Sequence, residues 1–316
     1  MNMKKVAGVC IIIGCVFTIA GIICLIIGGA NTNFDFSSAS DMNFEKKTFE
    51  FEGELSTLDL LTISDSIIVK HSPDKKTRLE YFNSTDGKIT YDIKRTYDDP
   101  DEKGKIQLKA EQKDNRQWFE YIKFFNFSKD NALTVYLPQE NFERVQLQTV
   151  SGEISSEIKL SSKSSFHINT TSGDIKAGNI STVSAFEVNA VSGCVTMKNV
   201  SSGTDIKINT VSGNITASDC DAKKNFSIST TSGESSLSKA KSDSADLSSI
   251  SGDFSIDVFD TKRLNVSTIS GEIEGRMGSD GVYNTDTVSG DINVPASAGS
   301  ERNYSFETVS GNIDLK

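Results

Sequence analysis

On a regular spacing the pair Ser-Gly returns nine times in this chain, at Ser151, Ser172, Ser192, Ser212, Ser232, Ser251, Ser270, Ser289 and Ser310. The intervals are 21, 20, 20, 20, 19, 19, 19 and 21 residues. A period held through nine copies is the mark of a repeat architecture, in which one unit is too small to bury a core alone. Taking each Ser as position 0, position −6 holds Val145, Phe166, Phe186, Ile206, Phe226, Ala245, Leu264, Tyr283 and Tyr304. Position −4 is apolar in all copies but the one with Thr285, and position −2 is Thr except at Ala190 and Ser249. Position +3 returns to apolar residues such as Ile154, Ile175, Val195 and Ile215. Steps of two describe a strand with one buried face. The phase slips by one across Ser-Gly, so the chain must bend there, and Gly supplies backbone freedom for the bend.

The expected fold is therefore all-β, a single-stranded β-helix or solenoid with coils of about 20 residues. Stacked coils set equivalent side chains about 4.8 Å apart, so nine of them make a rod on the order of 43 Å long. A sandwich of hairpins is disfavoured, because Asn-Gly and Asp-Gly turns are nearly absent between the strands. Upstream, Leu58, Leu60, Ile63, Ser64, Asp65, Ile67 and Val69 match the repeat spacing with Asp65 in place of Gly, which reads as a degenerate first coil. Residues 72–130 are irregular and charged, with β-like runs at 78–82 and 105–110, and suit a cap over the end of the core.

One transmembrane helix is expected ahead of the solenoid. Residues 6–29 form an uncharged, mostly apolar run of 24, long enough at about 1.5 Å per residue to cross a ~30 Å hydrocarbon layer. A cleaved signal peptide has a shorter apolar core, although Gly28-Gly29-Ala30 offers a small-residue cut site. Ile12-Ile13-Gly14-Cys15 resembles a lipobox, yet the apolar run continues well past Cys15. Lys4 and Lys5 precede the run, while Asp35, Asp41 and Glu45 follow it. That bias puts the N-terminus in the cytoplasm and the solenoid outside, as a single-pass protein of the cell membrane. The division expected is 1–30 anchor, 31–44 linker, 45–144 cap with the degenerate coil, and 145–316 the nine-coil solenoid. The formal charge of −10 with no basic stripe argues against a nucleic-acid partner. Outside the anchor only Cys194 and Cys220 remain, too few for a disulfide framework, and both are expected as idle or buried thiols.

Chemistry is sparse. Nine serines suggest a nucleophile, but activation needs a base, and the only histidines, His71 and His167, do not follow the period. Turn hydrogen bonding accounts for such a Ser better. Position +2 holds Glu153, Asp174, Glu234, Asp253, Glu272 and Asp291, with Cys194, Asn214 and Asn312 in the other copies. Stacked in register, the acids form a ladder whose repulsion a divalent cation could relieve, or they are solvated turn residues. No metal or cofactor is expected. Trp118, Phe119, Tyr121, Phe124, Phe125 and Phe127 place six aromatics within ten residues, either as a plug for the core or as a contact surface for a sugar or a partner. The final coil ends at Lys316 with no helix to cover it, which leaves an edge for self-association.

With anchor, cap and repeat in place, the chain resembles the bacterial putative-adhesin family of β-strand-repeat proteins, a domain of unknown function. The resemblance rests on Leu133-Thr134-Val135-Tyr136-Leu137-Pro138, on Phe142-Glu143-Arg144-Val145-Gln146-Leu147, and on Thr149-Val150-Ser151-Gly152-Glu153-Ile154 with its successors. It implies a surface-exposed solenoid of the cell envelope, often encoded with envelope-stress regulators, and no catalytic residues. The expected function is a non-catalytic scaffold or adhesin-like binding module with an envelope protein or glycan as partner. The alternatives are a sensor or regulatory partner of an envelope-stress system and, further off, a carbohydrate-active enzyme.

Overall fold

The computed structural model describes residues 43–97, 104–116, 131–297 and 301–316. The expected anchor at 6–29 and the aromatic run at 118–127 lie outside them. Among the described residues no helix is long and apolar enough to cross a membrane.

Alternating apolar and polar residues produce strands throughout. The first seven are β1 (Phe44–Phe51), β2 (Leu55–Thr62), β3 (Ser66–His71), β4 (Thr77–Ser84), β5 (Ile89–Tyr97), β6 (Ile106–Asp114) and β7 (Ala132–Leu137). The Ser-Gly coils then supply two strands each. They run β8 (Asn141–Thr149), β9 (Ile154–Ser156), β10 (Leu160–Thr170), β11 (Ile175–Thr182), β12 (Phe186–Ser192) and β13 (Val195–Ser202). Next come β14 (Ile206–Ser212), β15 (Ile215–Ala222), β16 (Asn225–Ser229), β17 (Ser235–Lys241), β18 (Ser244–Ser248) and β19 (Phe254–Asp260). The last six are β20 (Arg263–Ser267), β21 (Ile273–Met277), β22 (Val282–Ser289), β23 (Ile292–Asn293), β24 (Asn303–Ser310) and β25 (Ile313–Leu315).

All 25 strands join one sheet that wraps around the core. Within the coils the pairing is parallel and in register, so the fold is the expected β-solenoid. Val145, Phe166, Phe186, Ile206, Phe226, Ala245, Leu264 and Tyr304 lie one above the next on the first face. Each is essentially sealed from solvent, at 0–1% exposure. Ile154, Ile175, Val195, Ile215, Ser235, Phe254 and Ile273 stack likewise on the second face. The degenerate coil takes its expected place: Leu58 pairs with Val145, Leu60 with Leu147, Thr62 with Thr149 and Ile67 with Ile154.

A second corner lies at position +7, where the backbone turns left-handed at Asn179, Asn199, Asp219, Lys239 and Val258, with φ of 55°, 56°, 53°, 50° and 63°. The phase slips again there, burying Ile180, Val200, Cys220, Ala240 and Phe259 at +8. Residues 160–162, 180–182, 200–202 and 220–222 thereby form a short third face.

The stacking order departs from chain order at both ends. β6 and β7 lie outside β2 and β3, which in turn contact β8 and β9. Beyond β6 and β7 the chain adds antiparallel strands, β5 on β6 and β4 followed by β1 on β7. At the far end β24 and β25 sit directly on β20 and β21, and β22 and β23 lie outside them. The expectation that the chain's last coil is the open edge is thus corrected. Every Ser-Gly coil offers the same rungs, so the final segment can insert beneath its predecessor. The coil at the rim is β22/β23.

Candidate interaction surfaces

The corner explains its own residues. The Thr149 and Thr170 hydroxyls point inward and accept the amides of Gly152 and Gly173, each at 2.9 Å. Burying a hydroxyl is costly without such a partner, and the bond ties position −2 to the bend. Three of the corner Ser hydroxyls donate to the position −1 carbonyl of the coil before: Ser151 to Ile63 at 3.1 Å, Ser172 to Val150 at 3.2 Å and Ser232 to Val211 at 3.4 Å. They fasten coils together, as the turn reading expects. His167 lies elsewhere, on the outer surface, with Nδ1 3.4 Å from Glu187 Oε2.

Glycine has a different task from the one its flexibility suggests. A Cβ on Gly173 would lie 1.8 Å from the Gly152 carbonyl oxygen, and on Gly213 it would lie 2.2 Å from that of Gly193. The same approach recurs down the stack, ending at Gly311 on Gly271 and Gly290 on Gly311, each 2.0 Å. Only some of these glycines have a left-handed φ, such as Gly213 at 129°, so close contact between corners is the shared requirement. Asp65 is the carbonyl partner of Gly152 at 2.1 Å. The next layer out carries no Ser-Gly corner, which lets a side chain stand there.

The position +2 residues do form a column on the surface. Asp174 Oδ1 accepts the Cys194 amide at 2.7 Å, Asn214 Oδ1 the Glu234 amide at 3.1 Å, and Asp253 Oδ1 the Glu272 amide at 2.8 Å. Asn312 Oδ1 accepts the Asp291 amide at 2.9 Å, and its Nδ2 reaches Glu272 Oε1 at 3.3 Å. Because the last two coils are exchanged, Asn312 separates Glu272 from Asp291. At the other end Lys176 Nζ is 2.7 Å from Glu153 Oε2. The short side chains here cap amides that the phase slip leaves exposed. Among the described residues no group of three or more His, Cys, Asp or Glu could hold a metal ion.

Two further columns run along the outside of the first face. Position −3 carries Asn169, Asn189 and Asn209, joined by Nδ2–Oδ1 bonds of 2.9 and 2.8 Å. Asn189 spends its second N–H on Glu187 Oε1 at 3.3 Å, while Asn209 keeps one N–H, and each carbonyl one acceptor lone pair, for outside partners. Position −1 carries Val150, Thr171, Val191, Val211, Thr231, Ile250 and Ile269, half-buried and all β-branched. Their side chains make a low apolar ridge beside the amides. The repeated Thr-Val-Ser and Asn-x-Val strings hold this signal, which becomes readable once the outward phase is known.

At the capped end, Asp65 sits in a buried polar cluster. Tyr91 Oη donates to Asp65 Oδ2 at 2.8 Å, and Ser64 Oγ lies 3.3 Å from Oδ1. Gln112 Oε1 accepts the Ile63 and Ser64 amides at 2.6 and 2.9 Å. Burial pushes the Asp65 carboxyl above its ordinary range, against the lowering effect of these bonds. Burial and the neighbouring carboxylate push the Tyr91 phenol well up. Arg116 and Asp114 form a buried pair alongside. The cluster ties β5 and β6 to the first coil. Cys194 is exposed and Cys220 buried, both as free thiols, and burial raises Cys220 to about 12.

No curated protein sequence matches the chain. Among solved structures, a putative lipid binding protein from Parabacteroides distasonis is 14% identical with TM-score 0.47, over 86% of this chain and 97% of that one. A putative adhesin from the same organism is 13% identical with TM-score 0.47, over 87% and 98%. A putative adhesin from Bacteroides fragilis is 12% identical with TM-score 0.45, over 86% and 97%. The Toastrack DUF4097 family profile matches residues 56–216 and 201–316. The chain therefore belongs to the Toastrack DUF4097 family, in keeping with the resemblance its repeated T-V-S-G-[DEN]-I corners carry.

Proposed function

We propose that the protein is a non-catalytic, membrane-anchored rod of the cell envelope, an adhesin-like scaffold that binds an envelope protein or a glycan along its side. The observation that carries this reading is the outer first face, where the Asn169–Asn189–Asn209 amide column runs beside a β-branched ridge. Its donors, acceptors and apolar groups recur at about 4.8 Å, a spacing suited to extended polymers rather than to one small molecule. The Ser151, Ser172 and Ser232 hydroxyls, by contrast, are engaged in coil-to-coil bonds. The anchor rests on the 6–29 run and its two flanking lysines.

Protease treatment of intact cells tests the topology. Release of peptides from the Ser-Gly region is expected, and their protection until lysis would sink the surface reading. Binding of the full chain in nanodiscs to arrayed envelope glycans tests the face. Loss of binding in Asn189→Ala with an unchanged melting temperature is the expected result, and equal binding would dismiss the amide column.

A further inference from the structure

The rim coil is unlike its neighbours. Among the described residues three large apolar side chains are exposed, and two of them, Val288 at 80% and Ile292 at 44%, belong to this coil. The counterparts of Ile292 inside the stack, Ile273 and Ile313, are fully buried at 0%, and those of Val288, Ile269 and Val309, are half-buried. The polar groups of the corner are stranded in the same way. In each inner coil the position +3 amide donates to the +2 carbonyl of the coil above, as Ile273 does to Asn312 and Ile313 to Asp291, both at 2.9 Å. Among the described residues no further coil receives that bond from Ile292. Val288 O and Asp291 Oδ1 likewise hold acceptor positions that the inner coils fill, as Ile269 O accepts the Ser310 amide and Asn312 Oδ1 the Asp291 amide. Among the described residues the returning chain meets the strand at its start, where Ser297 Oγ accepts the Tyr283 amide at 3.0 Å.

We infer that this rim is a self-association surface, and that its occupant is a second copy of the chain meeting it tip to tip about a two-fold axis. An unpaired strand edge with apolar neighbours is a ready template for another strand. The opposite end of the rod does not match it. That end presents the antiparallel strands β1 and β5, which have no Ser-Gly corner to continue the rungs of the rim and carry Lys46, Lys47, Asp92 and Lys94. A head-to-tail chain of rods is therefore disfavoured, whereas a two-fold contact sets β22 antiparallel to its own copy and closes at two. β22 has 8 residues, so at about 3.3 Å per residue and a width of about 20 Å the tip offers roughly 500 Å² per copy, or about 1,000 Å² in all. That is the lower bound for a specific interface, and it fits a weak, reversible dimer. Asp286 and Asp291 are exposed on the rim coil, so two copies bring like charge to the contact and added salt, by screening it, tightens the dimer. β1 begins at Phe44, at the end away from the rim. On the anchored reading above, the tip then points away from the membrane, and two rods on facing surfaces meet through it.

Sedimentation of the full chain in detergent micelles across the micromolar range tests the contact. The expected result is a concentration-dependent dimer that strengthens with salt. Val288→Lys and Ile292→Lys should each weaken it roughly tenfold or more, while Lys46→Glu at the other end leaves it unchanged. Val288 is so exposed that its substitution leaves folding intact. A monomer throughout the range, or a dimer indifferent to both tip variants, overturns the proposal. Vesicles carrying the full chain should cluster with the wild type and not with Val288→Lys. Dimers in micelles without clustering would refute the bridging of facing surfaces and leave the tip contact standing.

Discussion

Gly213→Ala is the sharpest perturbation the stack offers. Its Cβ would stand 2.2 Å from the Gly193 carbonyl oxygen and 2.8 Å from the carbonyl carbon, and the backbone there has a left-handed φ of 129°. Side-chain adjustment cannot relieve a clash between main-chain atoms, so the two corners must part. Parting weakens coil-to-coil bonds such as the one from the Glu234 amide to Asn214 Oδ1, at about 1 kcal/mol each. The φ adds a strain of about 1–3 kcal/mol. The expected loss is about 3 kcal/mol or more, which denaturant titration followed by far-UV circular dichroism would register as a lower midpoint. Gly178→Ala is the matched control, since nothing lies within 4 Å of its added Cβ and its φ is not left-handed. It should be neutral, or stabilise by about 0.4–1 kcal/mol. Equal effects of the two substitutions would refute the claim that the corner, through its close contact and left-handed backbone together, fixes the glycine of the repeat.

Three further outcomes follow from the same geometry. Val258→Asn replaces a β-branched residue at φ 63° with the type found at Asn179 and Asn199, and calorimetry should show a gain of about 1 kcal/mol; a loss would contradict the left-handed corner. Asp174→Asn keeps the acceptor for the Cys194 amide and should be neutral, whereas Asp174→Ala should cost about 1 kcal/mol; equal damage from both, together with calcium-dependent melting, would favour a cation site. The Asp65 carboxyl is held above its unfolded range by burial, so its contribution is full at acid pH and is lost as pH rises through the folded value. Asp65→Asn should therefore stabilise the protein at pH 7 relative to wild type, with the difference shrinking on acidification. A difference that grows instead would reverse the sign of the argument.

Much of the coil was legible because strand alternation and stacking act on the same residues. Positions −6, −4 and +3 face the core where Phe166, Ile168 and Ile175 lead one to look, and Asp65 marks its coil despite lacking Gly. The corner at +7 was missed because its left-handed residue is Asn or Asp at 179, 199 and 219 but Lys239 and Val258 later. Tertiary stacking holds the bend after the local preference has gone. The exchange of the last two coils leaves no mark in the pattern, since equivalent coils offer one another the same rungs in either order. The antiparallel strands β1 and β5 lack the period and are fixed by pairing with distant partners. The +2 acids were found as a column, but their bonds to the next coil's amides depend on a register that spacing alone does not give.

Disulfide trapping tests the exchanged stack most directly. In a Cys194→Ser background, Glu272→Cys with Asn312→Cys joins adjacent layers about 4.8 Å apart, within reach of an S–S bond. Glu272→Cys with Asp291→Cys spans two layers, about 9.6 Å, beyond that reach. The account predicts that mild oxidation cross-links the first pair and leaves the second reduced; ready closure of the second pair with none of the first would mean that the coils stack in chain order.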